Sequence, residues 1–239
     1  MPAGDRWLAQ GVRGYAASAT TVEEPDSAEE FYARASELLR QVEDAAETTG
    51  QRAEENDELR GKLEEAAECL EISLGEGRSD PRALFALSQL HEKYDLPGFS
   101  ADRALSLLYH AAKAGSAEAQ YELASRLRLQ DEEGDPGGGR SQLLLTEAAA
   151  QGHTDAMFLL GAAELRAQAE GGHGAASAKQ WFKRAADLGH VPAASIYGVL
   201  LLKDSPEPAS RQEAKRYLDF AAGRGEALAA DWLTSIKTS

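Results

Sequence analysis

The 239 residues predict an all-α protein: an α/α superhelical solenoid of helical hairpins, preceded by an acidic helical hairpin. Two observations carry that prediction. Two alanines followed three residues later by a glycine recur four times, as Ala111-Ala112 with Gly115, Ala148-Ala149 with Gly152, Ala185-Ala186 with Gly189, and Ala221-Ala222 with Gly225. These glycines stand 37, 37 and 36 residues apart, a fixed period in the range of helical repeat arrays. Upstream, apolar residues recur in steps of three and four, the stripe of a helix rather than the alternation of a strand.

Composition narrows the class further. Apolar residues make up 43% and charged residues 27% of the chain, ordinary for a soluble protein. No apolar run approaches the ~20 residues needed to cross a bilayer. Cys69 is the single cysteine, which excludes an internal disulfide framework. The net charge is -15, and residues 22–76 hold 18 acids against Arg34, Arg40, Arg52, Arg60 and Lys62. Such a surface repels phosphate backbones, so direct nucleic-acid binding is disfavoured; a solvated helix face is the favoured reading of the charge and a basic protein partner the other.

Residues 1–21 carry Arg6 and Arg13 against one acid, Asp5, and continue into Ala16-Ala17-Ser18-Ala19-Thr20-Thr21. Arginine with serine and alanine and few acids is the composition of a mitochondrial presequence. Arg13-Gly14-Tyr15-Ala16 resembles a matrix-processing site, and Trp7, Leu8 and Val12 supply one apolar side. A frayed, disordered terminus is the other reading, favoured by the shortness of the segment and by Asp5. The expected location is the mitochondrial matrix under the first reading and the cytoplasm under the second. Residues 22–26 read as a linker, closing a first unit of 1–26.

The second unit, 27–76, opens at Ser27, which with Glu30 forms a capping-box pattern. Phe31, Ala35, Leu38, Val42 and Ala45 make one stripe, and Leu59, Leu63, Ala66, Leu70 and Leu74 make a second. A hairpin breaking at Gly50 is one reading and a single long bent helix the other, since the register runs on through Thr49, Arg52 and Asn56.

After Gly75 to Pro81, where glycine stops one helix and proline suits the first turn of the next, the repeats fill 79–239. A first helix is expected to start at an alanine in each: Ala83, Ala119, Ala156, Ala193 and finally Ala229. A second is expected to start near Ala104, Ser141, Ala178 and Ala214. It then presents a bulky pair: Leu107-Leu108, Leu144-Leu145, Trp181-Phe182 or Tyr217-Leu218. Small residues let helices approach closely, the bulky pairs fill the grooves, and the glycine reverses the chain in the left-handed conformation. The last unit is a single capping helix, with Trp232 over its open end.

The run Ala178-x-x-Trp181-Phe182-x-x-Ala185-Ala186-x-x-Gly189-His190, with Ala119-Gln120-Tyr121-x-Leu123 and Asp102-Arg103-Ala104, resembles the Sel-one-like repeat, a relative of the tetratricopeptide repeat. The resemblance covers about Ser79 to Ile236. It implies a non-enzymatic scaffold, adaptor or assembly subunit of a larger complex, with protein partners. The loops 129–139 and 167–176 depart from the family's compact loop.

No catalytic, cofactor-binding or metal residues are assigned. Gly134 to Ser141 has phosphate-loop spacing, but arginine replaces the lysine and a helix precedes it where a strand belongs. Asp131-Glu132-Glu133 and Asp135 lack an EF-hand's alternating ligands. His153 and His190 follow the repeat glycines, where the expected role is packing against the carbonyls of the finished helix. A rival reading is a repeat-based, β-lactamase-like hydrolase, known among cysteine-rich members of the family and disfavoured by one cysteine. A bacterial regulatory or secreted repeat protein is the other.

Overall fold

The computed structural model describes residues 27–50, 52–75, 79–130, 139–169, 175–204 and 207–238. Among these residues there are eleven α-helices and no strand. They are α1 (Ala28–Thr49), α2 (Asp57–Leu74), α3 (Pro81–Lys93), α4 (Ala101–Lys113), α5 (Ala117–Gln130), α6 (Gly139–Ala150), α7 (Thr154–Ala169), α8 (Ala175–Asp187), α9 (Val191–Asp204), α10 (Pro208–Ala222) and α11 (Ala227–Thr238). Consecutive helices pack as hairpins, α1 with α2, then α3 with α4, and so on to α9 with α10, and α11 leans on α10 and α9. The chain is an α/α superhelical solenoid.

Local chemistry accounts for the boundaries. Ser27 Oγ accepts from the Glu30 N–H while Glu30 Oε2 accepts from the Ser27 N–H, so the capping box is closed. Gly50 ends α1 at φ 66° and donates to the Ala46 carbonyl. A short 3-10 turn, Ala53–Glu55, then leads to α2. Asn56 caps α2 by accepting from the Glu58 and Leu59 N–H groups. The two stripes meet, with Ala35, Leu38 and Val42 packed among Leu59, Leu63, Ala66 and Leu70, and the same core continues into Leu87 and Leu90 of α3. The acidic hairpin is therefore the first layer of the stack. Its carboxylates find bases in the next layer: Glu29 pairs with Arg82, Glu43 with Lys93 and Glu71 with Arg103.

Each alanine pair closes a helix in the same way. The N–H of the residue after the glycine donates back to the carbonyl of the first alanine: Ser116 to Ala111, His153 to Ala148, His190 to Ala185 and Glu226 to Ala221. This is a Schellman turn, which needs its glycine left-handed. Gly152 has φ 98°, and a side chain there would meet nothing within 4 Å, so its cost is conformational. Gly152→Val should lower stability by about 1–2 kcal/mol; an unchanged urea midpoint would contradict this.

The expected helix starts need correction. The first helices begin two residues before Ala83, Ala119, Ala156, Ala193 and Ala229, and the second begin up to six residues before the positions read from sequence. Those alanines are fully buried: they mark helix contact and not helix entry. A further position escaped the sequence reading. Five residues past each of the first four key alanines stands another small residue, Ser88, Ala124, Gly161 or Gly198, all buried. In the third repeat it lies under the second helix's bulky residue, since a Cβ on Gly161 would sit 3.0 Å from the Phe182 ring. Ser88 instead donates to the Ala104 carbonyl across its own hairpin, 2.9 Å.

Candidate interaction surface

The first helices lie side by side, and their polar side chains bridge from one to the next. Arg82 and Lys93 of α3 reach α1. Gln89 of α3 donates to Glu122 of α5 at 2.7 Å, and Arg126 of α5 pairs with both Glu92 and Glu122. Exposed pairs of this kind contribute about 0–1 kcal/mol each, so they set register more than stability. The second helices are bridged too. Glu71 of α2 meets Arg103 of α4, and Tyr217 of α10 donates to Asp187 of α8. Burial raises the Asp187 pKa, but hydrogen bonds from Lys183 and Tyr217 outweigh it and hold the carboxyl below its ordinary range. Burial and the Asp187 bond push the Tyr217 phenol up. The sequence assigned Tyr217 as a groove filler; its hydroxyl partner lies 30 residues away and was illegible.

The two histidines after glycines correct the sequence expectation. Each caps the helix that follows, with His153 Nδ1 accepting from the Ala156 N–H and His190 Nδ1 from the Ala193 N–H. Each ring also covers the preceding repeat's aromatic. His153 lies 4.5 Å from Tyr121, and His190 lies 5.0 Å from Phe158. His190 Nε2 is in addition 3.2 Å from Asp155. One side chain thus joins two repeats, which is structural work. His190→Ala should cost about 1–2 kcal/mol, combining a lost cap with a lost ring contact. His190→Asn should recover the cap part in the same urea titration.

His91 is 4% exposed. Its Nδ1 accepts from the Ser100 N–H at the start of α4, and its ring lies 4.4 Å from Phe99. Burial, then the nearby Arg103 charge, lower its pKa, with Glu71 opposing. The unfolded chain therefore takes up this proton first. Stability from His91 is complete above an unfolded value of about 6.5 and is lost as pH falls from there through the lower folded value. Between pH 7.5 and 5.5 the wild type should lose more stability than His91→Gln, and parallel curves would refute this.

The remaining candidates from sequence fall as follows. Cys69 is buried, 1% exposed, in the shared core of α1 to α3. Among the described residues, no group of three or more His, Cys, Asp or Glu is placed to hold a metal ion. The acidic run 131–135 and the start of the phosphate-like loop lie outside the described residues, and Gly139 to Ser141 form the first turn of α6. The segment read as a presequence, 1–21, also lies outside them. No described helix is long and apolar enough to cross a membrane.

What the molecule does offer is faces. At the position three residues past each key alanine the first helices carry Ala86, Glu122, Leu159, Ile196 and Trp232. From the third repeat onward the row is occupied by large apolar residues. On α4, Leu105 and Tyr109 are 48% and 45% exposed. With Leu123 and Leu127 of α5 they wall a groove of about 700 Å³, rimmed by Asp102 and Arg126.

This architecture defines the class: the fold is that of Sel1-like, tetratricopeptide-like repeat proteins. A Sel1 repeat protein from Oxalobacter formigenes superposes with a TM-score of 0.62, at 22% identity over 88% of this chain and 66% of that one. A protective antigen of uropathogenic Escherichia coli strains, displaying an SLR fold, superposes with a TM-score of 0.56, at 16% identity over 84% of this chain and 47% of that one. The chain thus spans about two thirds of the length of the first and about half of the second. No protein-family model and no curated protein sequence matches the chain.

Proposed function

We propose that the chain is a non-enzymatic protein-interaction scaffold, an adaptor or accessory subunit whose row of first helices receives a segment of a partner protein. The observation that carries this reading is the row itself. Side chains tie its helices to one another, with the polar Gln89, Glu122 and Arg126 on α3 and α5 and the half-buried Leu159, Ile196, Leu200 and Trp232 on α7, α9 and α11. A stacked array can offer such an extended surface without a central cavity. An acidic first layer favours a basic partner over nucleic acid.

Affinity capture from native lysate tests it, comparing wild type with Ile196→Glu. A partner retained by the first and lost by the second, at unchanged helicity, supports the scaffold. Turnover on a panel of hydrolase substrates would favour the enzyme reading instead. The compartment rests on 1–21 alone. The matrix reading expects import into isolated mitochondria with loss of about 15 residues, and a chain recovered with Met1 intact returns the location to the cytoplasm or to a bacterial cell.

A further inference from the structure

We infer that the groove between α4 and α5 is a second docking site, and that its occupant is an amphipathic helix of a partner protein whose polar side is basic. The inference rests on the scaffold reading; the groove shares α5 and Arg126 with the first-helix row and adds the exposed Leu105 and Tyr109 of α4.

Comparison between the repeats of this chain carries the argument. One residue past each second-helix anchor stands Leu105, then Gln142, Lys179 and Lys215; five residues past stands Tyr109, then Thr146, Lys183 and Asp219. The later repeats thus put polar or charged side chains where the first puts leucine and tyrosine. Exposed apolar groups at positions the architecture elsewhere keeps polar point to a function other than folding. Leu105 and Tyr109 lie one turn apart on α4, and Leu123 and Leu127 lie one turn apart on α5. Two such walls match apolar residues spaced four apart on a helix laid between them.

The core is also thinnest here. Between the large N-terminal and C-terminal cores, the α4–α5 junction buries only Leu108, Ala111, Ala112 and Ala119 as a cluster of its own. An occupant would add apolar contact where the stack has least. Charge selects its sign. Asp102 has no basic partner among the described residues, and the Arg126 guanidinium is already taken by two carboxylates, Glu92 and Glu122. A rim of this kind receives lysine or arginine. A second copy of a chain with net charge -15 brings repulsion instead.

The probe is a synthetic 14-residue helical peptide with leucines every three and four residues and lysines on its other side; a control replaces the lysines with glutamate. Fluorescence anisotropy should show the lysine peptide binding the full chain, at least tenfold more weakly to Leu105→Ala/Tyr109→Ala, and unchanged to Leu188→Ala. Leu188 is 58% exposed outside the groove and serves as the apolar control. Equal affinity for the double variant, equal affinity for the glutamate peptide, or no binding would each overturn the inference. So would a dimer in sedimentation that Leu105→Ala/Tyr109→Ala dissociates, since the occupant would then be a second copy. If a natural partner is captured by wild type and kept in full by Leu105→Ala/Tyr109→Ala, the groove proposal fails while the scaffold stands; if wild type captures none, the scaffold reading fails first.

Discussion

Phe182→Ala should lower the unfolding free energy by about 3–5 kcal/mol, the range for deleting a buried aromatic ring. The ring is fully buried and lies against the Gly161 backbone, with its Cζ 3.0 Å from where a Cβ would stand. It also meets Phe158 edge-on, at 5.6 Å between centroids. Removing it leaves a void bounded by helix backbone, which cannot close around the gap as flexible side chains could. The pair Gly161 and Phe182 should therefore behave as a unit. Gly161→Ala alone should destabilise by about 1–3 kcal/mol, because its Cβ needs the space the ring fills. In Phe182→Leu that space is partly vacated, so the double variant should cost less than the two singles summed. Repeat two already carries an alanine and a leucine at these positions, Ala124 and Leu145, both buried. A double-mutant cycle in urea with no coupling would show that ring and backbone do not share the site.

Gly198→Val should be the most damaging single-residue enlargement, at about 3 kcal/mol, the upper end of the overpacking range. Its Cβ would stand 2.7 Å from Leu218 Cγ and 3.1 Å from the Ala214 carbonyl oxygen. The side chain could turn aside, but the backbone oxygen belongs to α10 and can yield only if the helix shifts. Glycine costs a helix interior about 1 kcal/mol relative to alanine, so a glycine here sacrifices propensity for close approach. Even Gly198→Ala, which recovers that propensity, should come out destabilising. A rise in urea midpoint for either variant would mean the hairpin α9–α10 has slack that its geometry does not show.

These two glycines show where sequence reading stopped. Gly152 and Gly189 were legible because a repeated glycine after an alanine pair has one common use, the left-handed end of a helix. Gly161 and Gly198 sit mid-helix, where periodicity treats glycine as a neutral gap, and only the facing helix reveals why no side chain fits. His153 and His190 were located by their repeat position, but which helix end they served depended on the direction of one ring nitrogen. Charge was read by segment, whereas its pairing runs between layers: Glu29, Glu43 and Glu71 look like an unrelieved acidic run until α3 and α4 bring Arg82, Lys93 and Arg103 beside them. The groove at Leu105 and Tyr109 was visible only as two apolar residues in a helix full of them.

What the sequence by itself determined is the all-α class, the repeat period, the turn glycines and the small residues at helix contacts. All of these are short-range: a turn of helix or a Schellman end is decided by residues within about six positions of one another, and repetition makes the signal audible. What only the tertiary structure decided is which small residue faces which large one, which acid meets which base, and which apolar side chains remain uncovered. Those outcomes depend on residues about 20 to 53 positions apart, and a helix's own sequence does not say which of its sides a neighbour will cover.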